Sequence, residues 1–586
     1  MKPLLLLTLF FAILRQLPAE DVPGGNTPGN VASSTVFTPP LDGIKQESPS
    51  STGVTFTTSD PDLQRIIDTA GKDEAANVHQ FTPTMKVLVE GGGYNNVWIE
   101  TQPMGGEMYA TRNLEVALNN QLVFMMSQRA DGRLPGAVKH GNLGKRFGQL
   151  QGYCFPDPAW KMYFWIGKDK EYLQKLYDVL EAYDKYLWKT RDSNGDGLLE
   201  TWCVTDTGED NSTRLSTRFA PSGWTFDYPP SDPRAPDPHD PVAFKRYWNL
   251  KEPADFVTPT RDQVLVPIAS MDIMGYSYDG RATLAKISHE LENGREDFWK
   301  QQAEDVRQKL IKGLWDPVRH ACFDRDRYGK VLPELVHNNI RAMYHGMFTQ
   351  EMADAFIRYH LLNPDEFWTP TPLPSIAIHE PLYRTGPNDW SGEPEGLTFQ
   401  RAIRALQNYG HYAEVTLIGR KLIAAVTKSG CFPQQFNPMT GLPDTGHSDG
   451  YGPTILSVLK YSSLMDGISL DVEHSQVWWS GMADGGGNFT YTQRWNDRTW
   501  TLTSEKGTCT ARVDNHEVFS CTPGARVVTD SDGKVLEVVG IDSVPQAVTL
   551  TVGGVVYRFT IHPNQVCQPD GTLLHAAPFD YPYHAP

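Results

Sequence analysis

Residues 173–187, LQKLYDVLEAYDKYL, put Leu173, Leu176, Tyr177, Leu180 and Leu187 on one face of a helix and leave Lys, Asp and Glu on the other. The same spacing recurs on both sides. Leu114, Ala117, Leu118, Leu122 and Met125 repeat it upstream, and Trp299, Ala303, Val306 and Leu310 repeat it downstream. Further helical stretches fall near 60–70, 158–166, 261–279, 281–291, 336–345, 350–360, 396–409, 411–427 and 453–465. The total is about twelve. The apolar stripes read as core, each helix burying one face against its neighbours.

Twelve successive helices match a barrel of six helical hairpins, so residues 59–467 are read as a mainly α domain, an (α/α)6 barrel. After about residue 470 the period changes to two. Short alternating runs at 499–502, 509–513, 518–521, 535–539, 547–552 and 555–561, separated by turns such as Asp532-Gly533 and Gly553-Gly554, predict a small C-terminal β-sandwich over 468–586. Residues 1–19 have a short apolar run after Lys2 and end in Leu17-Pro18-Ala19, the pattern of a secretory signal, so a secreted or periplasmic protein is expected. Residues 20–58, rich in Pro, Gly, Ser and Thr, read as a disordered linker.

The net charge of −17 argues against nucleic acid or an anionic membrane surface as partner, since both need concentrated Lys and Arg. A carbohydrate fits better. The 7 cysteines include no paired spacing of the zinc type; Cys509 and Cys521 flank an expected hairpin and are candidates to pair in an oxidising compartment. Asp192, Asn194 and Asp196 repeat oxygen ligands at alternate positions ahead of Gly197, the opening of a calcium loop. Cys203 occupies the place of the final bidentate Glu, so an ordinary calcium hand is not expected. A structural calcium and an Asx-rich turn are both open readings, and no other cofactor is required.

Just beyond, residues 205–214 (TDTGEDNSTR) follow a predicted helix and Trp202. They resemble the general-acid segment of glycosidases built on paired helices, with Gly208, Asp210, Asn211, Ser212 and Arg214 in register. An Asp donates a proton at neutral pH only where its surroundings raise its pKa, so Asp210 needs a buried or acid-rich site. The resemblance extends to Trp98-Ile99-Glu100 through Glu107-Met108-Tyr109, residues 128–136 (QRADGRLPG), Leu314-Trp315-Asp316-Pro317 with residues 323–326, and residues 372–377 (PLPSIA). In that order they identify the region from Trp98 to Leu464 as similar to six-hairpin glycosidases of glycoside hydrolase family 63 and the mannosylglycerate-hydrolase-like group, with trehalases more distant.

The resemblance implies small, terminal α-linked sugars and an inverting reaction in which Asp210 is the acid. It also implies sugar contacts from Trp98, Glu107, Tyr109, Trp202 and Trp390, while Arg214 holds the local geometry or, if the sugar is anionic, contacts the substrate. There are departures. Trp390-Ser391-Gly392-Glu393-Pro394 stands where the family has Trp-Arg-Gly-Pro. Gln434, three residues before Asn437-Pro438, stands where the family has the Glu that activates water. An amide is no base at neutral pH, so Gln434 can position a water or a hydroxyl but is not the base, and one open reading is that another carboxylate supplies it. Glu393, Glu395, Asp444 and Asp449 are the candidates. Two other readings stay open: a carbohydrate-binding protein that has lost its base, and a polysaccharide lyase using Lys139, His140, Lys145 and Arg146.

Overall fold

The computed structural model describes residues 52–140, 144–147, 149–210, 212–216, 265–386, 390–443, 449–482 and 487–583. The predicted signal segment, the linker up to residue 51, Asn211 and Asp444 lie outside them. Two kinds of helix alternate along the first part of the chain. Glu296–Gly313 buries only Trp299, Ala303, Val306 and Leu310, and Lys170–Thr190 buries the stripe that includes Leu173, Leu176, Tyr177, Leu180 and Leu187. These are half-solvated helices with polar outer faces. Asn338–Tyr344 is buried at every position, and Met271–Leu291 and Gly452–Met465 along most of their length. Helices buried all round must be surrounded by others.

Contacts between helices run in a cycle. Gln102–Tyr109 touches Pro156–Trp165, which touches Met271–Leu291, then Asn338–Tyr344, Gly396–Gln407 and Gly452–Met465, which returns to Gln102–Tyr109. Most of these are backed by a partner outside the cycle: Leu114–Met125, Lys170–Thr190, Glu296–Gly313, Tyr412–Ser429 and Pro61–Ala76. Residues 281–291 are not a separate helix: Met271–Leu291 is continuous through Gly280. Gln102–Tyr109 lies where no helix is predicted. Its Gly105 and Gly106 read as breakers in isolation, but a Cβ on Gly106 would meet Asn120 Cβ at 2.6 Å, so the glycines are what let it approach Leu114–Met125.

From Gly467 on the chain is antiparallel strand. One sheet carries seven strands and the other six, and their inner faces share a core that includes Trp479, Val527 and Val538 from one and Trp500, Leu502, Phe519 and Leu550 from the other. Trp479 meets Phe519 edge to face with centroids 5.8 Å apart. The linker reading fails over its last residues: Gly53–Thr58 is the edge strand of the seven-stranded sheet, with Val54 opposite Gln493 and Phe56 opposite Tyr491. Val54 and Phe56 alternate with Thr, which is the strand signal that the surrounding Pro and Ser obscure. Cys509 and Cys521 are directly opposed in adjacent strands, and both thiols are free in this structure. Among the described residues no helix is long and apolar enough to cross a membrane.

Candidate active site

The segments leading into the cyclic helices converge at one end. Glu100 precedes Gln102–Tyr109, Asp272 opens Met271–Leu291, His337 precedes Asn338–Tyr344, Glu395 precedes Gly396–Gln407 and Tyr451 precedes Gly452–Met465. Helix N-termini present unsatisfied N–H groups and a positive dipole end, which suits a collection of carboxylates.

Four acids gather there around the Tyr94 hydroxyl. Burial first, then the charges of Glu90, Asp210, Glu395 and Glu100, push the Tyr94 phenol well above its ordinary value. Glu395 is fully buried. Gln435 donates from Nε2 to its Oε1, while its Oε2 has no hydrogen-bond partner among the described residues. Desolvation raises the Glu395 carboxyl well above the usual range, and the charges of Asp210 and Glu100 raise it further against the opposing effects of Gln435 and Arg341. Glu100 is raised to about 7 by burial and by Asp210, with Arg401 and a 2.5 Å hydrogen bond from Gln151 holding it down. Glu90 accepts from the Tyr451 hydroxyl at 3.0 Å and is raised by burial and by Glu100 and Asp210.

Asp210 is tied into this group through its backbone carbonyl, which accepts from Trp390 N at 3.2 Å. Its loop is shaped around Glu100: Gly208 has φ +74°, and a Cβ there would sit 2.1 Å from Glu100 Oε2. Gln434 joins from the other side. The Tyr94 hydroxyl donates to its Oε1 at 3.1 Å, and its carbonyl accepts from Gly396 N at 2.9 Å. Asp210, Glu395, Trp390 and Gln434 are therefore brought together.

The remaining candidates lie elsewhere or serve other groups. Arg214 donates to both Glu209 oxygens, at 3.0 and 2.7 Å, and to Asp324 at 2.9 Å, so its guanidinium is engaged within the protein. Burial alone would raise Glu209, but Arg214 holds it well below the usual carboxylate range. Trp202 stacks under Arg191 at 4.1 Å and donates to Glu200. Glu107 accepts from Trp165 Nε1 at 3.0 Å, and Tyr109 packs with Leu88, Val116 and Leu456. Trp98 is half-buried under Arg146, 5.2 Å away. Glu393 is fully buried, and its charge raises the Tyr383 hydroxyl after burial does. Asp449 accepts from the Gly450 amide and from the Phe432 amide 17 residues away, tying two loop segments together.

In the candidate calcium loop, Asp192 accepts from Gly197 N, Asn194 from Asp196 N and Asp196 from Leu198 N. The loop oxygens thus serve the turn itself. Among the described residues no group of three or more His, Cys, Asp or Glu is arranged to hold a metal.

Sequence reasoning missed Glu90, Tyr94, Tyr451, His337 and Arg341. A signal for the first two is the run Gly91-Gly92-Gly93, each at positive φ, which folds Glu90 and Tyr94 back against Gly450 and Tyr451; a Cβ on Gly91 would lie 2.4 Å from Gly450 O. Arg341 donates to the Thr207 carbonyl and lies 3.6 Å from Asp272.

The chain shares its fold with solved glycosidases. A GH63 mannosylglycerate hydrolase from Thermus thermophilus, in complex with glucose, aligns with 16% identity over 68% of this chain and 100% of its own, TM-score 0.52. The same enzyme in complex with Tris and D-glycerate aligns with 17% identity over 68% and 100%, TM-score 0.52. An α-L-rhamnosidase from Dictyoglumus thermophilum aligns with 10% identity over 90% of this chain and 50% of its own, TM-score 0.51. No curated protein matches significantly in sequence. Residues 99–452 match the mannosylglycerate hydrolase MGH1-like glycoside hydrolase domain, which spans most of the chain and all but the Glu90–Tyr94 side of the acid cluster. The protein belongs to that family of glycoside hydrolase domains.

Proposed function

We propose that the protein is an exported, inverting glycosidase on an (α/α)6 toroid, with Asp210 as the general acid and Glu395 as the carboxylate that activates water. The observation that carries this reading is the gathering of half-buried Asp210 with buried Glu395, Glu90 and Glu100 around Tyr94, where desolvation first and then the charge of Asp210 raise the Glu395 carboxyl. Like charges packed this closely do not all ionise, so the cluster retains protons at neutral pH. Gln435 anchors one Glu395 oxygen, leaving the other for a water, and Gln434 beside it orients that water or a sugar hydroxyl. Inversion needs the two carboxyls roughly 6.5–9.5 Å apart, with room for water between them.

The substrate in this reading is a small or terminal α-linked glycoside. The test is proton NMR of the first-formed sugar across a panel of α-linked disaccharides and glycosyl glycerates. Release of the β anomer ahead of mutarotation is expected, and Asp210→Asn should release it about 10²–10⁴-fold more slowly. An α anomer appearing first, or wild-type rates in Asp210→Asn, would remove the reading. Gln434 favours a second one, a carbohydrate-binding protein. It predicts saturable sugar binding with no product from any member of the panel.

A further inference from the structure

Where the helical region meets the sandwich, a cavity lies between the end of Gln102–Tyr109, the second half of Gly452–Met465 and the strands Gly467–Asp471 and Phe489–Trp495. It is apart from the acid cluster: Lys460 stands more than two turns beyond Tyr451, about 13 Å along the helix. Arg112 and Lys460 line the cavity, and among the described residues no Asp or Glu does. Neither cation has an ion pair among the described residues; Arg112 Nη1 donates to the Thr111 hydroxyl at 3.3 Å. The acids that act on them from outside the cavity are otherwise engaged. Burial pushes Glu74, near Arg112, up to about 8, so it is largely uncharged at neutral pH. Near Lys460, Glu107 accepts from Trp165 Nε1 and Asp471 pairs with His474 at 2.9 Å. The field of a third cation, Arg526, also reaches Lys460; it is buried, bonded to the Ser480 hydroxyl and the Leu464 carbonyl, and one of its terminal nitrogens has no partner among the described residues. Burial pushes the Lys460 ammonium down to about 8, with Lys161 and Arg526 adding to the effect against Glu107 and Asp471. Desolvated positive charge is costly without a counter-charge, and the chain as a whole carries −17.

We infer that Arg112 and Lys460 hold a small inorganic anion of halide size at the seam between the helical region and the sandwich. The inference is independent of the glycosidase reading. The cavity admits about one or two water-sized groups, which suits chloride and excludes a sugar or an organic phosphate. An ammonium and a guanidinium offer N–H donors and no acceptor, and a halide accepts from several donors at once. Burial raises the Tyr491 hydroxyl and Arg112 lowers it, which sets a neutral O–H donor of the sandwich near the guanidinium. An anion bound there touches Arg112 and Lys460 from the helices and Tyr491 from the sheet, and so ties the sandwich to the helices.

The experiment is a series of thermal melts at constant ionic strength in which sodium chloride replaces sodium gluconate, whose anion is too large for the cavity, with sodium sulfate as the larger inorganic probe. The wild type should gain about 2–4 °C in chloride along a saturable curve. Lys460→Met and Arg112→Met should each lose that gain. In gluconate alone Lys460→Met should melt no lower than the wild type, because it removes a charge that burial penalises. A lysine that served only to hold the seam would instead leave the variant lower in both salts, and that result would overturn the inference. If one variant does not fold, the other carries the test. Crystals of the wild type grown with sodium bromide provide a check free of mutation, with an anomalous peak expected between Arg112 and Lys460. No saturable gain in the wild type, a gain kept by both variants, protection by sulfate in place of chloride, or no bromide at that position would each overturn the inference.

Discussion

Asp210 and Arg214 stand on one loop four residues apart and have separate tasks. Arg214 is enclosed by Glu209 and Asp324, so truncating it leaves two buried carboxylates without their cation. Breaking a buried pair in this way costs about 3–5 kcal/mol, and the Arg214→Met protein should melt correspondingly lower. Lys should not restore it, because the forked contact with both Glu209 oxygens needs a guanidinium. Asp210→Asn should leave the melting temperature nearly unchanged and lower kcat by about 10²–10⁴-fold, the usual weight of a general acid. The loop motif singled out Asp210, which lies among the acids around Tyr94. Between the two roles open for Arg214 it could not choose, because Asp324 is 110 residues away and nothing local announces it; the contacts to Glu209 and Asp324 favour holding the local geometry. Trp202 and Tyr109 illustrate the same limit: an aromatic beside a functional loop reads as a sugar platform, and only packing reveals Arg191 or Leu456 as its real neighbour.

The elements themselves were legible where periodicity is strong. Lys170–Thr190 and Glu296–Gly313 follow their apolar stripes because one face of each remains in water. Gln102–Tyr109 and Met271–Leu291 are buried on most faces, so amphipathic period marks them poorly, and their segments were misjudged at Gln102–Tyr109 and at Gly280. Glycine is the point of failure in both cases. Gly106→Ala should destabilise by about 1–3 kcal/mol in a denaturant titration, since its new methyl meets Asn120. Gly208→Ala should act on catalysis more than on stability, because the methyl falls on Glu100 Oε2 and the left-handed backbone is strained at the same time. Comparing kcat with melting temperature for the two alanines separates these effects.

Across the whole molecule, the C-terminal segment is tied back onto the helical region. The Tyr581 hydroxyl donates to Glu414, Tyr583 to the Arg358 carbonyl, and His411 also pairs with Glu414 at 2.9 Å. Removing residues 577–586 should lower the melting temperature and expose Glu414. Stability should also depend on pH in a predictable direction. Glu74 rises from 4.5 to about 8 through burial, and Glu100 to about 7. Between pH 4.5 and 8 the folded state thus holds protons the unfolded state has lost, so these groups make stability fall as pH rises through that window. Glu74→Gln should flatten the fall, as measured by melts across the same range. The central claim is that Glu395 activates water while Asp210 donates the proton, and chemical rescue by azide tests it most directly. Azide attacks without needing a base. With a substrate the wild type cleaves, Glu395→Gln should be slow and recover aglycone release on adding azide, forming an inverted glycosyl azide, while Asp210→Asn with a poor leaving group should stay silent. Wild-type rates in Glu395→Gln, or no rescue in a folded variant, would contradict the account.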